Sequence, residues 1–297
     1  MRLSPNAILK FQTCPRQYYF YYVKRWRTLK TAFALPFGRA VHKAIEKWFK
    51  AQHAGEDLVI EDEFERVFRR ELLKITPKPD KRWDVDSLVA TGRALAQKFP
   101  PAWAETGLMP VVDAHGVVVE RELRFEIIPG VDILTYLDVL AMDTDGLIYL
   151  IDAKTPTSPA SGGFTLASDQ LTTMQIGAER NADTLGIEQV DRLGFLELVK
   201  RKTGPKAKVG PTVEPLQTVP RRGDQEIEDF LSTVRFIAHC VRRGDFPRFA
   251  RQAYNTPCDM CDFADLCLRG NADGLVQADK AREIEQNSEL FADVFLL

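Results

Sequence analysis

Apolar residues recur along this chain first with the period of a helix and then with that of a strand. Over residues 4–24, Ile8, Phe11, Tyr18, Tyr19 and Tyr22 fall at roughly helical spacing behind Ser4 as N-cap and Pro5 at the first helical position, with a bend expected at Cys14-Pro15. Val41, Ile45, Trp48 and Phe49 stripe a second helix over 38–52, with His42 beside the stripe and Glu46 one turn on. Two more amphipathic stretches, 61–75 and 86–106, are separated by the breaker Thr76-Pro77-Lys78-Pro79. The period then changes. Val119, Arg121, Leu123, Phe125 and Ile127 alternate with Glu120, Glu122, Arg124 and Glu126, which predicts a strand with one wet face. Strands over 133–142 and 147–154 follow, joined by Asp143-Thr144-Asp145-Gly146. Beyond a small-residue loop at 155–168, the pattern predicts a helix from Asp169, strands near 193–199 and 212–219, a helix over 224–243 and a terminal helix from Ala278. The expectation is one mixed α/β (α+β) domain over 1–297, with 55–110 as a helical insertion.

Composition adds boundaries. A chain of 297 residues, 45% hydrophobic and 28% charged, is an ordinary globular protein rather than a disordered, collagen-like or disulfide-dense one. No run of about 18 apolar residues is present to span a bilayer, and Met-Arg-Leu-Ser-Pro lacks a secretory core, so a cytoplasmic location is expected. With 40 basic and 42 acidic residues the chain is no uniformly basic coat for nucleic acid. Basic residues nevertheless cluster at Lys200, Arg201, Lys202, Lys206, Lys208, Arg221 and Arg222, with Glu214 as the one acid among them. The first helix is rich in Arg and Tyr (Arg16, Tyr18, Tyr21, Tyr22, Lys24, Arg25, Arg27). Either segment could track phosphates and stack bases, or be a solvated face.

The candidate chemistry starts at Leu150-Ile151-Asp152-Ala153-Lys154. A period of two places Asp152 and Lys154 on one face. Alone, such a triplet reads as a surface ion pair. If Thr144-Asp145-Gly146 is a three-residue loop with Gly146 left-handed, Asp143 opposes Leu147 and Asp138 lies opposite Asp152. Two opposed carboxylates repel, and a divalent cation between them removes the conflict. Oxygen ligands suit Mg²⁺ or Mn²⁺, and a metal-bound water beside Lys154 is a nucleophile fit for phosphodiester hydrolysis.

Gly38-Arg39-Ala40-Val41-His42, the Asp138 strand, Ile151-Asp152-Ala153-Lys154-Thr155 and Gln170-Leu171 occur in an order that resembles the RecB-like iron-sulfur branch of the PD-(D/E)XK nuclease superfamily, typified by CRISPR-associated exonucleases and the AddB nuclease domain. The resemblance implies a restriction-endonuclease-like central mixed sheet flanked by helices. It implies that His42, Asp138 and Asp152 ligate the metal, that Lys154 is the catalytic lysine and that Gln170 stands near substrate at the edge of the site. Met174 occupies a place where that family's helix often carries Tyr. Asp132, in Gly130-Val131-Asp132, is a rival for the first acid, and Glu120, which could approach the metal from the neighbouring strand, is read first as a solvated strand acid.

Five cysteines, at 14, 240, 258, 261 and 267, favour metal binding over disulfides in a chain without an export signal. Four thiolates suit zinc or an iron-sulfur cluster. The resemblance favours a 4Fe-4S cluster on Cys14, Cys258, Cys261 and Cys267, in a region made of 1–30 and 250–270, and leaves Cys240 as a core thiol. It further implies a DNA exonuclease acting on single strands or ends in recombination, repair or CRISPR adaptation, with helicase or recombination and adaptation proteins as partners. A DNA-binding scaffold with a vestigial site is the alternative.

Overall fold

A computed structural model describes residues 1–160, 162–204, 208–249 and 256–278. Lys206 and the helix expected beyond Ala278 lie outside the described residues. The strands that carry the fold are β1 (Arg2–Leu3), β2 (Val119–Ile128), β3 (Val131–Met142), β4 (Ile148–Lys154) and β5 (Arg192–Val199). β3 pairs antiparallel with β2 and with β4, β5 runs parallel to β4, and β1 adds in parallel to the first residues of β3. Met109–Pro110 on β3, and Thr212–Val213 and Gln217–Pro220 on β5, complete a mixed sheet of eight strands. The single strand expected over 212–219 is thus two short pieces, parted at Pro215, which has no N–H to give a ladder.

The helices are α1 (Pro5–Thr13), α2 (Ala34–Ala54), α3 (Ile60–Leu73), α4 (Val85–Glu105), α5 (Asp169–Arg180) and α6 (Asp224–Arg243). The bend at Cys14 is real: its backbone is extended (φ −166°, ψ 116°), a short helix Pro15–Tyr18 restarts behind it, and a π turn Tyr19–Val23 follows. Segment 55–110 holds α3 and α4, which pack on α2 through Phe37, Phe64, Phe68 and Phe99, all fully buried. Each of these side chains stabilises the fold by roughly 1.5–3 kcal/mol.

Helices cover both faces of the sheet. α2, α3 and α4 share one core with Val139, Ile151 and Leu196, while Leu171, Met174 and Ala178 of α5 pack on Leu140, Leu150 and Leu193. A Cβ at Gly177 would stand 2.6 Å from a Phe125 ring carbon, so glycine is what lets α5 lie this close to β2. A third core joins α1 and α6 through Ile8, Phe11, Val234 and Ile237, and it takes in the Cys240 thiol as expected. Among the described residues no helix is long and apolar enough to cross a membrane.

The basic run from Lys200 to Arg222 is not the exposed stripe that its composition suggested. Lys200 and Arg222 are buried, Arg201 pairs with Glu214, and Arg221 pairs with Glu179. The Arg222 guanidinium donates to the Thr165 carbonyl (2.7 Å) and to Thr172 Oγ1 (3.3 Å), so its charge fastens the loop before α5.

Candidate active site

The turn after β3 has the expected three residues. Gly146 is left-handed (φ 82°), the Asp143 amide donates to the Leu147 carbonyl (3.2 Å), and Val139 pairs with Ile151 and Leu140 with Leu150. The ladder stops one pair before Asp138 and Asp152. There the strands part and the Asp138 carboxylate takes over, accepting from the Ala153 amide at 2.8 Å.

His42 reaches this fork from α2. Its Nδ1 lies 2.7 Å from Glu120 Oε1 and 3.4 Å from Asp138 Oδ2, and ligand atoms of His42, Glu120 and Asp138 all fall within 4.8 Å of one another. Glu120 gets there through a left-handed backbone (φ 45°), which costs a non-glycine residue on the order of 1–3 kcal/mol. Regular alternation hides that turn. Periodicity alone therefore placed Glu120 as a solvated acid, and only its neighbour relation to Asp138 hinted otherwise.

Asp152, 1% exposed, stands beside this trio in a second arrangement. Gln170 Nε2 donates to its Oδ1 (2.7 Å), Gln170 Oε1 accepts from Lys154 Nζ (3.0 Å), and the Lys154 ammonium faces Asp152 Oδ2. Gln170 is the second residue of α5, whose N-cap Ser168 accepts from the Leu171 amide. Asp169, its neighbour, accepts from Gln12 Nε2 of α1 at 2.6 Å. The structure thus brings together His42, Asp138, Asp152, Lys154 and Gln170 and adds Glu120. It leaves Asp132 exposed, paired across the strands with Arg2 and Glu126, six residues along β3 from Asp138.

The electrostatics are those of a site crowded with acids. Burial, then the Asp152 charge, push the Asp138 carboxyl well above the usual carboxylate range. For His42, burial acts downward, but the Asp138 charge, the Glu120 hydrogen bond and the Glu120 and Asp152 charges outweigh it and lift the imidazole to about 9. A divalent cation would satisfy what protons satisfy here. One imidazole nitrogen with carboxylate oxygens is a donor set for Mg²⁺ or Mn²⁺ rather than a thiol-lined zinc site.

At the other end of α1, Cys14, Cys258, Cys261 and Cys267 line one small cavity with Gln17, and Gln17 Nε2 donates to Cys261 Sγ (3.5 Å). Burial raises the Cys261 thiol pKa. Among the described residues the His42 trio is the group that brings three ligand atoms within 4.8 Å of one another.

The sequence matches the model of the PD-(D/E)XK nuclease superfamily over residues 2–268. This chain belongs to the PD-(D/E)XK nuclease superfamily. Membership implies a nuclease acting on DNA, and the central mixed sheet flanked by helices is consistent with its restriction-endonuclease-like fold. A solved structure described as "Crystal structure of SSO0001" resembles this PD-(D/E)XK nuclease with a TM-score of 0.38 and 13% sequence identity, over 90% of this chain and 86% of that one. No curated protein matches it.

Proposed function

We propose that this nuclease is a divalent-metal-dependent DNA exonuclease that hydrolyses phosphodiester bonds on single strands or ends, as a cytoplasmic single domain working in recombination, repair or CRISPR adaptation. Partners of the helicase, recombination or adaptation classes fit such a role. The observation that carries the reading is the convergence of His42, Glu120 and Asp138 within 4.8 Å beside the Asp152–Lys154–Gln170 trio.

His42, Asp138 and Asp152 hold the metal, with Glu120 as a further ligand or as the acceptor that orients the imidazole. Bound there, Mg²⁺ or Mn²⁺ polarises the scissile phosphate and lowers the pKa of a water. Lys154 Nζ neutralises charge that develops on the phosphate oxygens and positions the attacking water. Gln170, bonded to both Asp152 and Lys154, sets the angle between acid and ammonium. Segment 55–110 is read as a helical insertion.

Cys14, Cys258, Cys261 and Cys267 hold a 4Fe-4S cluster that fastens 1–30 to 250–270. Support comes from the all-thiol donor set of Cys14, Cys258, Cys261 and Cys267 around one cavity. Anaerobically purified protein is then brown, with broad visible absorption and bound iron, and a colourless protein with stoichiometric zinc would reject the cluster.

The deciding experiment incubates end-labelled single- and double-stranded DNA with Mg²⁺ or Mn²⁺ and wild type, Asp152→Ala or Lys154→Ala. Wild type shortens the DNA and both variants leave it whole. Intact DNA with wild type under every metal returns the scaffold reading.

A further inference from the structure

On the face of the sheet that α5 covers, Phe195 of β5 is the register partner of Asp152 on β4. The Lys154 ammonium lies over its ring, 5.5 Å from the centroid. A second ring, Phe164, stacks on Phe195 at 5.3 Å with 30° between the planes. Phe195 is 5% exposed and Phe164 52%. An aromatic surface thus begins beneath the Lys154 ammonium and ends in solvent.

Phe164 is the one aromatic residue in the loop 155–168, which is otherwise made of Thr, Ser, Pro, Gly, Ala and Leu. A ring left half in water forfeits much of the burial by which phenylalanine stabilises a fold, so packing accounts poorly for its place. Its mounting is firm. The Lys200 amide donates to the Pro156 carbonyl (2.7 Å) and the Ala160 amide to the Glu197 carboxylate (3.1 Å). On the other side of the ring, the buried Arg222 guanidinium donates to the carbonyl of Thr165, also buried, at 2.7 Å. A ring held through its own backbone is preorganised, and little freedom is lost when a ligand settles on it.

The chemistry of this surface selects its occupant. An exposed π face attracts another flat face, and an ammonium attracts an anion, so the complement is an aromatic ring joined to a negative group. The two anchors are no more than about 11 Å apart, from Lys154 Nζ past the Phe195 centroid to that of Phe164. With a phosphate about 2.8 Å from Nζ and a ring stacked about 4.5 Å from the Phe164 centroid, the space left between them is what one sugar spans. A peptide with an acid beside an aromatic residue carries the same two groups in rare stretches, whereas DNA carries them in every unit.

We propose that Phe164, backed by Phe195, is the stacking face for the nucleobase attached to the phosphate held at Lys154. The assignment rests on the nuclease reading above and adds to it a base contact at the bond under attack. Cleavage should then require that a base be present there, whatever its identity, because every base has a π face. An abasic nucleotide should stall it.

The test crosses the protein ring with the nucleic-acid base. Fluorescence anisotropy in EDTA measures binding of an oligothymidylate of about six nucleotides, near one site size, and of a set in which each nucleotide in turn is abasic. The proteins are full-length wild type, Phe164→Ala, Phe164→Leu, Phe164→Trp and the control Phe236→Ala, which removes a ring 62% exposed on α6. Thermal melts check that each is folded. For wild type and the control, one abasic position should weaken binding about fivefold or more, the lower end for one stacked base. The same position should cost nothing in Phe164→Ala or Phe164→Leu and should cost at least as much in Phe164→Trp. Leucine keeps an apolar cover on Phe195 without a π face, so a leucine variant that behaves as wild type overturns the proposal in favour of packing. Equal sensitivity to the abasic position in wild type and Phe164→Ala overturns it too, as does the lack of any sensitive position. Cleavage of the end-labelled set in Mn²⁺ is read separately. A protein that shows the coupling yet never cuts sinks the nuclease reading and leaves the stacking face in place, and one that cuts past abasic positions without pause sinks the stacking face alone.

Discussion

The carboxylate centre and the cysteine centre are assembled in opposite ways. His42, Glu120, Asp138 and Asp152 project from α2 and from neighbouring strands of one sheet, over cores in which Val139, Leu140, Leu150 and Ile151 are almost wholly buried. Their positions are over-determined before any ligand arrives. Cys258 sits instead on the short turn Pro257–Met260, Cys261 directly after it and Cys267 on the helix Ala264–Arg269, where Phe263 is the one core residue between Thr256 and Ala278. That segment is held by Phe263 against Phe20 and Tyr21, by Gln17 and by a three-residue strand pair. A site on a sheet is set before any ligand binds, whereas a site on a thin strap would need a bound metal to hold it together.

The largest effect that would break this contrast is catalytic. Asp152→Ala should lower cleavage about 10²–10³-fold with little change in melting temperature, measured by end-label assay and calorimetry; a collapse of the fold would show that the carboxylate centre is also structural. Cys258→Ser or Cys14→Ser should do the converse, lowering the melting midpoint by about 5 °C or more while Mn²⁺ affinity at the carboxylates, read by paramagnetic relaxation, stays near wild type.

Smaller effects sharpen it. Glu120→Gln should weaken Mn²⁺ binding about tenfold with the fold unchanged. The pH dependence of metal-free protein carries a definite sign. His42 is raised from 6.5 to about 9, so its contribution to stability is full below pH 6.5 and is lost as pH rises through 9, and the raised Asp138 carboxyl acts in the same direction. Melting temperature should therefore fall across pH 6.5–9 without metal, and saturating Mn²⁺, which displaces those protons, should flatten the fall. Last, Gln12→Ala removes the hydrogen bond from α1 to Asp169, next to Gln170. Turnover should drop roughly fivefold, the equivalent of about 1 kcal/mol, with the Mn²⁺ dissociation constant unmoved. A shift in that constant instead would place Gln12 in the metal site's support.

What could be read from the chain follows the same division. The β3–β4 register was legible because Gly146 specifies the turn and the turn specifies every pair after it, which put Asp138 and Asp152 at the same level. The bend at Cys14-Pro15 was legible because proline restricts the residue before it. Glu120 was legible only as a second reading, since a left-handed residue inside an alternating strand leaves no mark on the alternation. The basic stretch misled because composition counts charges without saying which are buried. Lys200 and Arg222 went into the interior, while the exposed Lys30, Arg39 and Lys78, which line one hollow, came from three separate segments that no window of sequence could join.

Strand Trp26–Thr28 pairs with Leu275–Gln277, at opposite ends of the described chain. On a ribosome that pairing cannot form until residue 277 has emerged, whereas β3 and β4 can pair once residue 154 is free. The carboxylate cluster can therefore take shape in a nascent chain that still lacks Asp262, Phe263 and Ala278, one side of the hollow beside Thr28 and Lys30. A chain truncated before residue 256 would carry the acids without the side that Asp262, Phe263 and Ala278 supply.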